Sequence, residues 1–362
     1  MSAKADTPSA HAVRDALLTL ASLVVVLAGA RYASNLVVPF LLAMFIAILL
    51  SSPIAMLGRR GLPRWLSVAL VSLLALGVLG TVFVLLGASV KAFINALPAY
   101  QEQLTLLVDA WVQQLVDLGA SIDRDDIASA FDPAGALGFL GSFLSGLGDT
   151  LSHFFLILFL VIFILGDAES FQRKMSGSDA AGSGRYYAGL QDLAAAMNNY
   201  ITTKTLIGAL TGVLITIGMA LLDVRFALLW GFIAFLLNFV PNIGSVIAAV
   251  PPVLLSLLDQ DPLTTGLMIA LYLLVNTLVG NILEPRIMGR RMGLSALAVF
   301  LSLLFWGWMF GPVGMLLSVP LTMLIKFLAE QQPGSAWLGT LLSGDPQGAS
   351  EAPAPDTVQD QL

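Results

Sequence analysis

The run Asn238-Phe239-Val240-Pro241-Asn242-Ile243-Gly244-Ser245 interrupts an apolar stretch from Phe226 to Leu258. Proline has no N–H and blocks the helix hydrogen bond that would cross it, so Pro241 frees backbone carbonyls. Those carbonyls and the side-chain amides of Asn238 and Asn242 suit a monovalent cation or a polyol. Gly244 and Ser245 begin the next arm, whose N–H groups favour negative charge or lone pairs. The blander alternative is that both asparagines only satisfy the broken backbone. Further on, Asn276, Asn281 and Glu284 lie along one apolar span, and Glu284 is the only acid between Asp261 and Glu330. A carboxylate there suits binding a proton or Na⁺ and coupling it to transport. The structural alternative is a cap at the cytoplasmic end of the span, paired with Arg286 or Arg290. Asn281 and Glu284, three apart, are expected to share a helix face, with Asn276 on a neighbouring part of it.

A second break, Phe310-Gly311-Pro312-Val313-Gly314, divides the apolar stretch Leu294 to Leu328. It carries no charged or amide side chain. Gly311, Pro312, Gly314 and the downstream Pro320 therefore read as a gate or hinge rather than a ligand shell. Trp306 and Trp308 suit stacking on a ring-shaped solute, but interface anchoring and packing are the commoner roles of Trp in membranes.

The elements that position these residues follow from length. A membrane span needs about 20 residues. Each broken stretch is too long for one simple span, and each half is too short alone. The economical expectation is a helical hairpin that enters the bilayer and turns back. Irregular backbone at that depth is tolerated only where protein buries it or it lines a cavity. Paired broken helices are a pointer to a transporter's substrate site.

Composition supports a membrane setting: 57% hydrophobic and 11% charged residues, with a mean hydropathy of +0.89. Ordinary soluble domains carry about 25% charged residues. The 362-residue chain is expected to be an all-α polytopic membrane protein of about eight membrane segments, two of them broken re-entrant hairpins. The net charge of −6 gives no sign of a nucleic-acid partner. There is no Cys, and His11 and His153 are the only histidines, which excludes thiolate metal sites and argues against a histidine zinc centre or triad. No P-loop motif occurs. A transporter rather than an enzyme is expected, with no cofactor, driven by an ion or solute gradient or by a partner. Ala28-Gly29-Ala30 imitates a signal-peptidase site, but the weakly basic N-terminus and the span that follows at once point to an uncleaved helix.

Along the chain, residues 1–15 read as a cytoplasmic N-terminus and 16–90 as three membrane helices. Residues 91–149 read as an outer amphipathic region. Leu104, Leu107, Val108, Trp111, Leu115 and Leu118 mark one of its faces, and Gly138, Gly141, Ser145 and Gly148 form a packing stripe. Residues 150–204 read as a fourth membrane helix, its solvated end marked by Asp167 and Glu169, and a polar cytoplasmic loop over 166–204 that holds a helix, before a span at Thr205–Leu222. Residues 205–328 read as a transport core with both hairpins, and 329–362 as a cytoplasmic tail whose Pro/Ala/Gly/Ser-rich end predicts disorder.

Basic residues set the orientation. With the N-terminus inside and both hairpins re-entrant, inner loops hold thirteen of the seventeen Lys and Arg residues, Lys204 among them. If the hairpins were full spans, the Arg286–Arg291 cluster would lie outside. Pro241-x-x-Gly244 before Val250-Pro251 loosely matches Pro312-x-Gly314 before Val319-Pro320. One unit starts inside and the other outside, which predicts an inverted repeat with its site near the bilayer midplane.

Three stretches carry a resemblance: Ala227-Leu228-Leu229-Trp230-Gly231 through Asn238–Ser245 to Pro251-Pro252; Asn281-Ile282-Leu283-Glu284-Pro285-Arg286-Ile287-Met288-Gly289; and Leu303-Leu304-Phe305-Trp306-Gly307-Trp308 through Gly314 to Val319-Pro320-Leu321. Together they resemble the autoinducer-2 exporter family of bacterial permeases over nearly the whole chain. Ala296 departs from the pattern, standing where many relatives have Pro after Leu-Ser. The resemblance implies export of a furanosyl-type quorum signal in some members, Na⁺ or Li⁺ efflux against protons in others, and homo-oligomers in the bacterial inner membrane. Three functions follow in order: exporter of a small polar solute such as autoinducer-2, Na⁺(Li⁺)/H⁺ antiporter with Na⁺ or H⁺ as coupling ion, and non-transporting scaffold.

Overall fold

The computed structural model describes residues 10–118, 135, 138, 141–142, 144–146, 153–176, 183–240, 244–288, 294–331 and 334–344. Its elements are α1 (Ala10–Tyr32), α2 (Ser34–Arg59), α3 (Arg64–Asp117), α4 (Phe154–Ser176), α5 (Ser183–Leu221), α6 (Ala227–Leu237), α7 (Gly244–Asp259), α8 (Pro262–Val275), a π-helical turn (Asn276–Leu283), α9 (Glu284–Met288), α10 (Ala296–Glu330) and α11 (Ala336–Leu342). Among the described residues, five helices are long and apolar enough to cross a membrane. Their outward faces carry Leu, Val and Phe side chains exposed on the monomer, as a lipid-facing surface requires.

Hairpin one is α6 and α7. Phe226 enters α6 with a left-handed backbone, φ 60°. The chain stops being helical after Leu237, and α7 packs back along α6. Pro241 and Asn242 lie outside the described residues. The hairpin nests on α5, where Gly212 and Gly231 bring the two backbones together: a Cβ on Gly231 would overlap the Thr216 hydroxyl and the Gly212 carbonyl. Small residues at such crossings allow the close contact that drives helix association in lipid. Phe93 of α3 meets the Trp230 ring edge-on, centroids 5.4 Å apart, beside the buried Leu229, Ile233 and Met268. Such an aromatic pair is worth about 0.5–1.5 kcal/mol beyond its area.

Hairpin two lies within α10. Helical dihedrals run through both arms except at Gly311, with φ 63° and ψ −147°, a region open only to glycine. That one residue reverses the chain. Trp306 Nε1 donates to Thr322 Oγ1 at 3.2 Å, although sixteen residues of straight helix would separate them by about 24 Å. Pro312 opens the second arm, where its missing N–H costs nothing. Pro320 is buried inside that arm.

The hairpins share one local device. A Cβ on Gly244 would overlap the Leu237 carbonyl oxygen and crowd Val240. A Cβ on Gly314 would overlap the Trp306 carbonyl oxygen and crowd Phe310. In each, a glycine four residues after a buried apolar residue lets the second arm start against the end of the first. The hairpins open at opposite ends of α8 and its extension. Asp259, the end of hairpin one, precedes the Asp261 cap of α8, whereas hairpin two begins beyond Met288. The Thr264 hydroxyl and N–H bond Asp261 and hold its carboxyl below the ordinary value.

Three expectations of internal boundaries differ from the structure. The helix expected within the loop 166–204 and the span placed at Thr205–Leu222 are, from Ser183, one helix: the polar residues of 190–204 belong to a helix punctuated by Leu193-Ala194-Ala195-Ala196-Met197. Lys204 is therefore buried inside a helix and does not belong to a cytoplasmic loop. The span expected to end at Val90 continues to Asp117, and the face read as a separate surface helix is its extension. Within it Val112 is buried and Leu118, just past its end, is exposed. Asn276 to Leu283 is π-helical rather than α-helical, so Asn281 and Glu284 do not inherit the three-residue stacking of an α-helix. Of the small-residue stripe, Gly141 lies against Leu97 of α3, and Gly148 lies outside the described residues.

Candidate functional site

The site assembles around Lys204. It is the only Lys or Arg between Arg185 and Arg225, and it sits on α5 opposite the end of α6. Its side chain is 2% exposed. The ammonium donates to Glu284 Oε1 at 2.5 Å and to the Asn238 carbonyl at 3.0 Å. Asn238 follows the last residue of α6, where carbonyls lose their intrahelical partners, and Lys204 supplies one. Glu284 is 19% exposed, at the junction of the π-helical turn and α9. Its described cationic partner is thus Lys204. Arg286 is exposed, and Arg290 lies outside the described residues.

The helices explain why these groups meet. Lys204 lies seventeen residues before Leu221, about 26 Å of helix. Hairpin one starts beside Leu221 and runs back along the same path for the eleven residues of α6, about 16 Å. The flexible lysine stem spans much of the remaining gap. Tyr200, one turn before Lys204, is buried, within electrostatic range of Glu284, and its hydroxyl has no hydrogen-bond partner.

On the far side of Asn238 is a cavity of about 20 Å³. Asn238, Ser245, Asn276, Thr211, Tyr272 and Gly280 line it with apolar neighbours. The Asn238 Nδ2 and Tyr272 hydroxyl are buried without partners. A volume above about 10–15 Å³ holds one water, and this lining gives that water several polar contacts. Asn238 therefore joins two half-sites: its carbonyl receives the ammonium and its amide borders the cavity. Gly280 keeps the wall open, since a Cβ there would come within 3.0 Å of Asn276 Oδ1.

Of the residues expected to bind solute or ion, the structure brings together Asn238, Ser245, Asn276 and, through Lys204, Glu284. Gly244 sits at the start of α7 as a packing contact. Asn281 is exposed, away from the cavity. Sequence reasoning missed Lys204, Tyr200, Tyr272 and Thr211. A lone lysine flanked by Tyr200-Ile201 and Leu206-Ile207 was the available signal for the first. Trp306 stacks on Phe310 at 5.7 Å besides its bond to Thr322, and the Arg31 guanidinium lies 4.1 Å over the Trp308 ring. Both indoles are occupied by the protein itself.

A charge at membrane depth is costly and concentrates at transport pathways. Known proteins point to transport. The model of the family described as AI-2E family transporter matches residues 20–333. The AI-2 transport protein TqsA of Escherichia coli K12 is 39% identical over 330 residues, covering 90% of this chain and 95% of that protein. YhhT of the same strain, whose name assigns it provisionally to transport, is 39% identical over 326 residues, covering 90% and 93%. A protein of Haemophilus influenzae, likewise named provisionally for transport, is 36% identical over 335 residues, covering 90% and 95%. The match runs through both hairpins, the Lys204 helix and the Glu284 junction, and the chain belongs to the AI-2E transporter family.

Proposed function

We propose that the chain is a secondary transporter that exports a small polar molecule, an autoinducer-2-like signal, across the bacterial inner membrane. The observation that carries this reading is the buried Lys204 ammonium, shared between Glu284 and the carbonyl at the break of hairpin one. Family membership supports the transport class, and the name of one relative, an AI-2 transport protein, supports the cargo. In this reading both hairpins re-enter the bilayer from opposite faces, both termini are cytoplasmic and the protein works as a homo-oligomer. Asn238, Ser245 and Asn276 bind the solute, with Pro241 and Asn242 completing the break. Gly311, Pro312, Gly314 and Pro320 let hairpin two move. The cavity of about 20 Å³ is too small for a sugar-sized solute, so hairpin one must shift from α8 before cargo enters. The solute's hydroxyls then pair with the Asn238 amide and the Tyr272 hydroxyl.

A second reading has one observation in its favour. The same cavity has room for a bare ion, and Asn238 in its wall is linked through Lys204 to the Glu284 carboxylate. Na⁺(Li⁺)/H⁺ antiport would use these groups, with Glu284 taking the proton. Flux in purified proteoliposomes separates the two: autoinducer-2 and Na⁺ are each followed with and without an imposed pH gradient. Signal movement without Na⁺ movement is expected. Na⁺-driven proton movement alone would replace export by antiport, and no flux of either from folded protein would favour a scaffold.

A further inference from the structure

We propose that a second ligand site, for an uncharged amphipathic molecule with a hydrogen-bonding oxygen or nitrogen, lies in the apolar cavity that α2, α3 and α4 form against both hairpins. This inference does not depend on the cargo proposed above. The cavity has a volume of about 250 Å³. Phe239 borders it from the tip of hairpin one, and Val313 and Leu316 from hairpin two. Phe45, Ala75 and Leu86 close other walls from α2 and α3. A dry cavity of about 150 Å³ already takes up benzene, and this one is larger.

Two hydroxyls decide the ligand's chemistry. Ser72, 8% exposed, and Thr205 line the cavity, and their oxygens are buried with no hydrogen-bond partner. By contrast, the hydroxyls of Thr81, Thr211, Thr216, Ser302 and Ser318 each close on a carbonyl three or four residues earlier. An orphan hydroxyl in apolar surroundings is costly, and a ligand that satisfies it gains what the empty site lacks. A lipid acyl chain would fill the volume and leave both oxygens unpaired. A charged ligand would have no counter-ion in this lining. A neutral apolar body carrying one polar group satisfies both constraints. The site abuts the ion pair, since Thr205 follows Lys204 and Phe239 follows Asn238, so an occupant would tune the distance between the tips.

The test is photolabelling of the full-length protein in proteoliposomes with a medium-chain alcohol bearing a diazirine, followed by peptide mapping. Adducts are expected on peptides spanning 42–50, 72–86 and 232–239, competed by unmodified 1-decanol but not by decane. Ala75→Phe, which fills the cavity, is expected to cut those adducts at least tenfold. Ser72→Ala is expected to weaken competition by about fivefold, the loss of one hydrogen bond. Leu316→Phe fills the same space from hairpin two and serves if Ala75→Phe does not fold. Labelling spread over lipid-facing side chains and indifferent to these variants and to 1-decanol would overturn the site. Equal competition by decane would overturn the hydrogen-bonding part and assign the cavity to acyl chains.

Discussion

The Lys204 ammonium lies 2.5 Å from a carboxylate oxygen of Glu284, eighty residues later in the chain. The contact ties α5 to the end of the α8 extension, and the Asn238 carbonyl ties both to the break of hairpin one. Three separate elements thus share one buried cation. Removing one partner of such a pair strands the other charge and costs about 3–5 kcal/mol, whereas replacing both with neutral groups is often tolerated. Lys204→Met and Glu284→Gln are each expected to lower the melting temperature of the purified protein sharply, and the double variant to recover most of the loss. An additive double variant would show that the two groups are not coupled.

The glycines at the arm junctions are steric requirements. Gly244→Ala and Gly314→Ala each push a Cβ into a carbonyl oxygen of the preceding arm. Overpacking of this kind costs about 1–3 kcal/mol. Both variants are expected to melt earlier than Gly266→Ala, where nothing lies within 4 Å. Equal melting in all three would mean the arms are not in contact.

The two arms of hairpin two are joined by the Trp306–Thr322 hydrogen bond. Trp306→Phe and Thr322→Val each lose about 1 kcal/mol from that bond. The double variant is expected to lose less than the sum, read from a double-mutant cycle on thermal stability. Strict additivity would contradict the chain reversal at Gly311.

The open end of hairpin one is clasped to α3. The Tyr100 hydroxyl donates to Asp259 Oδ2 at 2.5 Å, and Arg225 Nη1 lies 3.6 Å from the same oxygen while its guanidinium covers the Phe226 ring. Tyr100→Phe is expected to increase proteolytic cleavage near Asp223–Phe226 without changing the oligomeric state. Unchanged cleavage would show that the clasp does not restrain the hairpin.

Membrane orientation is open to thiol labelling because the chain has no Cys. Single Asp223→Cys and Asp259→Cys variants are expected to react with a membrane-impermeant maleimide from outside the cell. Gly289→Cys is expected to react only after permeabilisation. External labelling at position 289 would remove the re-entrant arrangement.

The broken hairpins were legible because Pro and Gly act on the backbone locally, and Glu284 stood out as a lone acid in an apolar span. Lys204 was not legible as a site residue. The polar run before it reads as a loop that holds a helix, and only the packing of α5 shows one face buried and the other exposed. The π-helical turn at Asn276–Leu283 was equally hidden, since an apolar span with two asparagines reads as ordinary α-helix. The repeat was off by one residue in the motif because the prolines do not correspond. Gly244 and Gly314 do, with Val240 and Phe310 four residues before them, so the equivalence lies in a steric contact rather than a shared letter pattern.

Under the proposed function the Lys204–Glu284 pair works in transport and does not merely hold the fold. Its most direct test is solute flux in proteoliposomes for wild type, Lys204→Met, Glu284→Gln and the double variant, each with its melting temperature. The double variant is expected to regain stability while autoinducer-2 flux stays at least tenfold below wild type. A double variant that regains both stability and flux would make the pair structural and contradict the claim.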